Sequence, residues 1–110
     1  MSEPTLADVF GPNATQDANS ITISKTDLAN YGLTPSAANT AESIYVAILL
    51  QSAVELTSNN FSLNEPNQQI AIGIAGQDLY TGGSQTYVRH NYFTSLYIPQ
   101  SINQVDPDDF

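Results

Sequence analysis

The sequence predicts an α+β fold in which a small, largely antiparallel β-sheet packs on one main α-helix, with extended arms at both ends. Three observations predict it: a short β-branched segment near residue 20, a long apolar stretch with helical spacing in mid-chain, and two alternating segments joined by paired glycines. At 110 residues the chain has room for one domain. We divide it into a flexible N-terminal arm (1–19), an α+β domain (20–99) and an acidic C-terminal tail (100–110).

The N-terminal third is expected to contribute one short strand. Residues 1–19 are rich in Pro, Gly, Asn and Asp, with a single helical turn expected near Leu6–Phe10. The segment 20–24 alternates with period two, which predicts a strand with Ile21 and Ile23 pointing inward. Residues 25–38 are interpreted as a connection.

The clearest element is a helix from Thr40 to about Leu56. Asn39 stands where an N-cap belongs and Glu42 follows three residues later, which is capping-box spacing. An arc of about 200° is apolar and is expected to face the core. It consists of Tyr45, Val46, Ala47, Leu49, Leu50, Ala53, Val54 and Leu56. Ile44 and Ile48 fall on the opposite side, with Gln51, Ser52 and Glu55. Either an arm or loop covers these isoleucines, or they lie in a subunit interface.

A hairpin is predicted after a loop at 57–67, in which Phe61 and Leu63 point inward. In the first strand, 69–75, isoleucines alternate with Ala or Gly, which leaves space for a close neighbour on one face; residues 79–80 extend it. The turn is 81–84 and the second strand is 86–98. Both faces of that strand are partly apolar, so we expect the helix to cover one and a partner the other. The candidate interface residues are Ile44, Ile48, Tyr87, Phe93 and Tyr97.

Charge and composition narrow the classes of partner. The sequence has two cationic side chains, Lys25 and Arg89, and eleven carboxylates, so its net charge is −9. This charge argues against nucleic acid and anionic membranes as partners. Ser, Thr, Asn and Gln make up 39 residues, whereas charged residues are 12%. Such an amide-rich surface suits repeated protein contacts, carbohydrate binding or a protein that is merely weakly charged. The acidic start and short apolar runs predict a soluble chain without a secretory leader.

No catalytic, cofactor or metal site is expected. The chain has no cysteine and one histidine, which excludes thiolate and multi-histidine metal sites within one chain. His90 and Arg89 are adjacent in a strand and therefore point to opposite faces. Asp106, Asp108 and Asp109 lack EF-hand spacing and are interpreted as a solvated tail. The hairpin aromatics (Tyr80, Tyr87, Tyr92, Phe93 and Tyr97) are expected to form core contacts, an interface or a glycan site, in that order.

The segments Asn19–Ile23, Thr40–Leu50, the isoleucine-rich strand and Tyr87–Phe93 together resemble, as a pattern, short virion proteins of tailed bacteriophages. They are similar in particular to capsid decoration (cement) proteins, including those of cyanobacterial phages. The resemblance implies a non-enzymatic protein of the virion, assembled in the host cytoplasm. Its implied partners are the major capsid protein or other virion proteins and further copies of itself, with a trimer as one option. The alternatives are a neck, tail or baseplate component and a carbohydrate-binding or adhesion module. Removal of residues 1–19 is expected to weaken incorporation but not folding.

Overall fold

Four α-helices and two separate two-stranded antiparallel sheets make up the described chain in the computed structural model, which covers residues 3–100 and 104–110. The predicted α+β class is confirmed. The helices α1–α4 and strands β1–β4 are, in chain order, α1 Leu6–Phe10, β1 Thr15–Gln16, β2 Ile21–Thr22, α2 Lys25–Leu28, α3 Ala41–Glu55, α4 Ser58–Asn64, β3 Ile70–Gly82 and β4 Gln85–Leu96. Short 3-10 turns follow at Ala29–Tyr31 and Pro107–Asp109. The predicted arms include residues 1–2 and 101–103, which lie outside the described residues.

The main helix α3 begins and ends within one residue of its predicted limits. Its N-cap is Thr40, whose Oγ1 accepts a hydrogen bond from the Ser43 amide at 3.1 Å. The predicted cap, Asn39, instead closes the preceding turn, accepting from the Ser36 amide and donating to the Thr34 carbonyl. Threonine satisfies the same exposed amides of the first helical turn as asparagine does, so the start moves by only one residue.

Of the residues predicted to face the core, Ala47 and Leu56 are buried, but the buried side of α3 is otherwise turned away from the predicted one. Its buried residues are Ala47, Gln51 and Ser52, and Ile44 and Ile48 pack half-buried beside them. The residues expected to face the core include Tyr45, Val46 and Val54, which are exposed. The helix is apolar almost all round, so side-chain polarity alone did not determine which side the rest of the chain would cover. Ser52 is accommodated in the buried face because its hydroxyl donates to the Leu49 carbonyl.

The core lies between α3 and the segment that was predicted to be a connection. Leu28 and Leu33, exposed by 1% and 7%, form a cluster with Ala47. Ile23 packs against this cluster as predicted, whereas Ile21 is exposed. Ile44 and Ile48 complete it from α3, so a segment of the same chain covers them, which was the first of the two interpretations.

The N-terminal arm has local structure and packs on the domain. Thr5 and Asp8 form a complete capping box at the start of α1, which packs on α3. Farther on, the Asn13 amide and side chain both donate to the buried carboxylate of Asp27, at 2.8 and 2.9 Å. Gly11 is required there because it has φ +108° and an added Cβ would lie 2.7 Å from Asp27 Cβ. The prediction of an extended arm is therefore not confirmed for the described residues 3–19.

The segment predicted as the loop 57–67 contains a second helix, α4. Thr57 caps it by accepting from the Asn60 amide. Phe61 does point inward, stacking on Tyr97 with ring centroids 4.1 Å apart, but Leu63 is exposed. Gln68 is 1% exposed and donates to the carbonyls of Thr57 and Ile70, so its amide joins α4 to the start of β3.

The hairpin formed by β3 and β4 contacts the rest of the chain mainly at its root. There the Ile72 amide donates to the Leu56 carbonyl at 2.7 Å, and Ala71 is buried. The radius of gyration, 16.2 Å, exceeds the roughly 13 Å of a compact chain of this length. A sheet packed along one main helix is accordingly not confirmed. In the described chain no helix is long and apolar enough to span a membrane.

The described end of the chain returns to this root. Pro107–Asp109 forms a 3-10 turn in which the Asp106 carboxylate accepts from the Asp108 amide at 3.0 Å. The Gln69 side chain donates to the Asp109 carbonyl at 3.0 Å. Here too the described residues, 104–110, do not confirm an extended arm.

Candidate interaction hairpin

The hairpin is a long antiparallel ribbon with a tight turn. Its pairs run from Ile70–Leu96 at the root to Gly82–Gln85 at the tip, a length of about 40 Å. Gly83 and Ser84 make the turn, and Gly83 has φ +55°, as the paired glycines predicted. Both strands are confirmed to within a few residues, and the turn is shorter than the predicted 81–84, because Thr81 and Gly82 belong to β3. A two-stranded ribbon alone is marginally stable in water, so what could cover its two faces matters for its stability.

A β-bulge in β3 keeps the aliphatic residues of the hairpin on one face. Ile74 pairs with Tyr92 and Gln77 with His90, so Ala75 and Gly76 together oppose Asn91 alone. Gly76 supplies the positive φ, +85°, at this point. Because the extra residue shifts the alternation by one, Leu79 lies on the same face as Ile74. Without the bulge it would lie on the other face.

The aliphatic face, as we call it, carries apolar side chains in two stretches, which the Gln77–His90 pair separates, and it ends in the Thr81–Thr86 pair at the tip. The exposed fractions of its large side chains are 73% for Ile74, 70% for Leu79, 56% for Val88 and 45% for Leu96. Its apolar members are Ile70, Ile72, Ile74, Leu79, Val88, Tyr92 and Leu96. Exposed apolar side chains grouped on one face are typical of an interaction surface in soluble proteins.

The opposite face, the tyrosine face, combines aromatic rings with an ion pair. Tyr80 and Tyr87 lie opposite each other, about half exposed, with ring centroids 6.4 Å apart. The Arg89 guanidinium donates two hydrogen bonds to Asp78, at 2.9 and 2.7 Å, and lies 5.6 Å from the Tyr80 ring centre. Asn91 adds a longer bond to Asp78, 3.4 Å. The face therefore offers apolar rings beside fixed polar groups.

The ion pair neutralises the hairpin. Hydrogen bonding from Arg89 lowers the pKa of Asp78 below its ordinary value, and the same bond raises the pKa of Arg89. Asp78 and Arg89 are the formally charged residues between positions 70 and 96, so the hairpin has no net charge. The whole net charge of −9 resides on the remainder of the chain.

Near the root, the aromatic ring of Phe93 lies over Gly73, which has no side chain. An added Cβ on Gly73 would lie 2.4 Å from Cζ of Phe93, the residue directly across the ladder. The small residues of β3 were predicted to admit a close neighbour, and Phe93 of the adjacent strand is that neighbour. Its ring stays 52% exposed on the other side.

The five candidate interface residues separate into two groups. Tyr87 and Phe93 lie exposed on the tyrosine face, and Tyr97, 44% exposed, follows at the root on the ring of Phe61. Ile44 and Ile48 lie apart from the hairpin, against the core cluster. All five remain predicted contact residues, and Ile44 and Ile48 are in addition partly covered by residues of this chain.

The fold does not bring together the described residues that were considered as candidates for chemistry. His90 pairs with Gln77 on the aliphatic face and Arg89 with Asp78 on the other, confirming that they do not share a site. Among the described residues, no three His, Cys, Asp or Glu side chains lie close enough to hold a metal ion. Sequence reasoning missed the pairing of Tyr80 with Tyr87. Counting back from the Gly82–Gln85 turn would have identified it.

No family model, curated protein or solved structure matches this chain.

Proposed function

We propose that this chain is a non-enzymatic structural protein of a tailed-bacteriophage virion, acting as a capsid decoration (cement) protein that binds and stabilises the assembled head. Its partners would be the major capsid protein or other virion proteins, together with further copies of itself. The observation that carries the proposal is the hairpin, a ribbon without net charge that exposes apolar side chains on both faces.

The exposed apolar side chains of the hairpin support a binding role, because apolar side chains that remain in water contribute little to the stability of the folded chain. Burying one aliphatic side chain stabilises a complex by about 1.5–3 kcal/mol, before association costs. Leu79 and Val88 form a cross-strand pair that is more than half exposed. A second surface that covers this pair would stabilise the ribbon and the assembly together.

The rest of the molecule supports repeated placement in a lattice. The body, by which we mean the described residues outside 70–96, carries the negative charge, and its uncharged polar residues hydrogen-bond without the cost of burying ions. Copies on a capsid would thus meet the particle through the neutral hairpin and direct their acidic surface to solvent.

A carbohydrate-binding or adhesion module is the second candidate, and the tyrosine face favours it. Sugars stack on aromatic rings and hydrogen-bond to neighbouring polar groups. Tyr80 and Tyr87 provide the rings, and Asp78, Arg89 and Asn91 lie beside them. Tyr97 is stacked on Phe61 at the root and does not belong to this pair of rings.

Co-sedimentation with particles from the virus that encodes the chain tests the first proposal. The purified protein is mixed with isolated heads and, separately, with isolated tails. Binding to heads is expected, with loss of at least tenfold in affinity for Leu79→Ser/Val88→Ser. The matched control, Tyr45→Ser/Val54→Ser, changes two equally exposed apolar residues on α3 and should bind normally.

Binding to tails alone would replace decoration by the neck, tail or baseplate alternative. Failure to bind any particle would overturn the virion proposal. Glycan-array binding by the wild type that Tyr87→Ala abolishes would instead establish the carbohydrate module.

A further inference from the structure

We propose that β4 pairs edge to edge with β4 of a second copy, antiparallel and with its two-fold axis at His90, to form a four-stranded sheet. This inference concerns the isolated chain and does not depend on the virion role. It arises from the free edge of β4, where the structure leaves backbone groups directed outward.

The two edges of the hairpin differ in how far they are protected. On β3, the Leu56 carbonyl occupies the edge at Ile72 and the bulge at 75–76 interrupts it. β4 is a regular run of twelve residues without proline or lysine. In the part of the chain that the structure describes, no backbone group from another element bonds to its outer side. Unprotected edges of this length are templates for strand addition.

The direction of the backbone groups follows from two bonds at the root. The Ile72 amide leaves the hairpin to reach Leu56, whereas the Tyr97 amide bonds back to the Gln69 carbonyl. Pairs alternate along an antiparallel ladder, so Thr94, opposite Ile72, presents its amide and carbonyl outward. The same holds for every even-numbered residue of β4, because no bulge interrupts that strand.

This alternation restricts the register of a two-fold pair. Outward groups must meet outward groups, so even-numbered residues must pair with even-numbered residues. The two-fold axis must then lie at a residue and not between two residues. The overlap of the two β4 strands is greatest when that residue is His90 or Asn91.

Side-chain pairing distinguishes these two registers. With the axis at His90, Tyr87 faces Phe93 of the second copy, Val88 faces Tyr92 and Thr86 faces Thr94. Aromatic, aliphatic–aromatic and Thr–Thr pairs are those that stabilise antiparallel sheets. With the axis at Asn91, Tyr87 would face Ser95 and Arg89 would face Phe93. In either register the two aliphatic faces lie on the same side of the four-stranded sheet, because even-numbered residues pair with even-numbered residues.

Charge favours a second copy as the occupant of this edge. The hairpins have no net charge, and Arg89 is already paired with Asp78 of its own chain. In the antiparallel arrangement the two acidic bodies lie at opposite ends of a sheet about 40 Å long. That separation is several times the screening length of about 8 Å at physiological salt, so the bodies scarcely repel each other.

Light scattering behind size exclusion, on the full chain from 5 to 500 μM (about a hundredfold range), tests the pairing. The wild type should dimerise, and Val88→Pro should raise the dissociation constant at least tenfold, because proline removes one outward amide. Leu79→Pro is the matched control: it removes the outward amide of the cross-strand partner, on the β3 edge. Proline is tolerated at edge positions whose amide faces solvent, and circular dichroism verifies folding.

A wild type that stays monomeric throughout, a trimer, or equal dissociation by both proline variants would overturn the proposal.

Cysteine crosslinking tests the register without requiring a proline in the strand. The chain contains no cysteine, so one introduced residue reports unambiguously. Across the proposed axis, His90→Cys places two Cα atoms about 5.5 Å apart, within disulfide range. Asn91→Cys, the control, leaves its two Cα atoms on diagonal positions about 7–8 Å apart, beyond disulfide range. His90→Cys should crosslink at least tenfold faster on mild oxidation, and equal or reversed rates would contradict the proposed axis.

Discussion

The body and the hairpin of this molecule differ in how their polar groups are hydrogen-bonded and in how their apolar side chains are covered. In the body, Leu28 and Leu33 are covered by α3, and buried polar groups such as Asp27 and Gln68 have partners within the chain. In the hairpin, the backbone ladder joins the strands along their length apart from the bulge at 75–76, but large apolar side chains on both faces remain in water. The body is therefore where the chain obtains its own stability, and the hairpin is where it has surface to offer another molecule.

Substitutions in the two regions should therefore change different measured quantities. Substitutions in the body should change the free energy of unfolding. Substitutions at exposed positions of the hairpin should change association and leave folding nearly unaltered. Four substitutions test that division, beginning with the largest expected effect.

Leu28→Ala should destabilise the chain by about 2–5 kcal/mol, because it removes most of a side chain that is 1% exposed. Leu79→Ala makes the same chemical change on a side chain that is 70% exposed and should cost about 0.5 kcal/mol or less. Urea unfolding at low protein concentration measures both. Equal losses would mean that the hairpin contributes to stability as the core does.

Asp27→Ala should cost about 1–3 kcal/mol, since it leaves the Asn13 amide without its buried acceptor. Hydrogen exchange of that amide should accelerate together with the loss of stability. Asp17→Ala is the control, because Asp17 also accepts backbone bonds, from Asn19 and Ser20, but in an exposed turn. If Asp17→Ala proved as damaging, burial would not be what makes the Asn13–Asp27 contact important.

Gly73→Ala should cost about 1 kcal/mol, the lower end of the range for overpacking, because the Phe93 ring must move but can rotate towards solvent. In a Phe93→Ala background the same change should cost less. A double-mutant cycle by urea unfolding gives the coupling between the two positions. An additive cycle would show that the ring does not occupy this place in solution.

Arg89→Gln should have the smallest effect on stability, since the ion pair is exposed. Its clearest signature is the pKa of Asp78, which Arg89 lowers in the wild type and which should return towards the ordinary aspartate value. A folded-state pKa below the unfolded one stabilises the native state above the unfolded value of about 3.9. That contribution disappears as the pH falls through the folded pKa. NMR titration of the Asp78 carboxyl measures the shift directly, and an unchanged pKa in Arg89→Gln would contradict the assignment.

Local signals in the sequence were sufficient to predict the hairpin and the limits of α3. Alternation identifies β3 and β4, paired glycines identify the turn, and a capping residue identifies the start of the helix. All of these act within a few positions along the chain. The Thr57–Asn60 spacing is a signal of the same kind, and it could have identified the start of α4 in a segment predicted to be a loop.

The rest depended on contacts between distant segments. The buried side of α3 was predicted wrongly because the helix is apolar almost all round, and its orientation is determined by Leu28 and Leu33 from another segment. The burial of Asp27 likewise depends on Asn13, fourteen residues earlier. The interface role of Tyr87, Phe93 and Tyr97 remains a prediction.

The bulge at Ala75–Gly76 makes the hairpin tolerant of substitution but sensitive to chain length. A new side chain at an exposed position alters only its own neighbourhood. Removing one residue between Ile74 and Gln77 would exchange the faces of the residues that follow in β3, including Leu79 and Tyr80. For this ribbon, the number of residues before the turn therefore carries as much structural information as their identity.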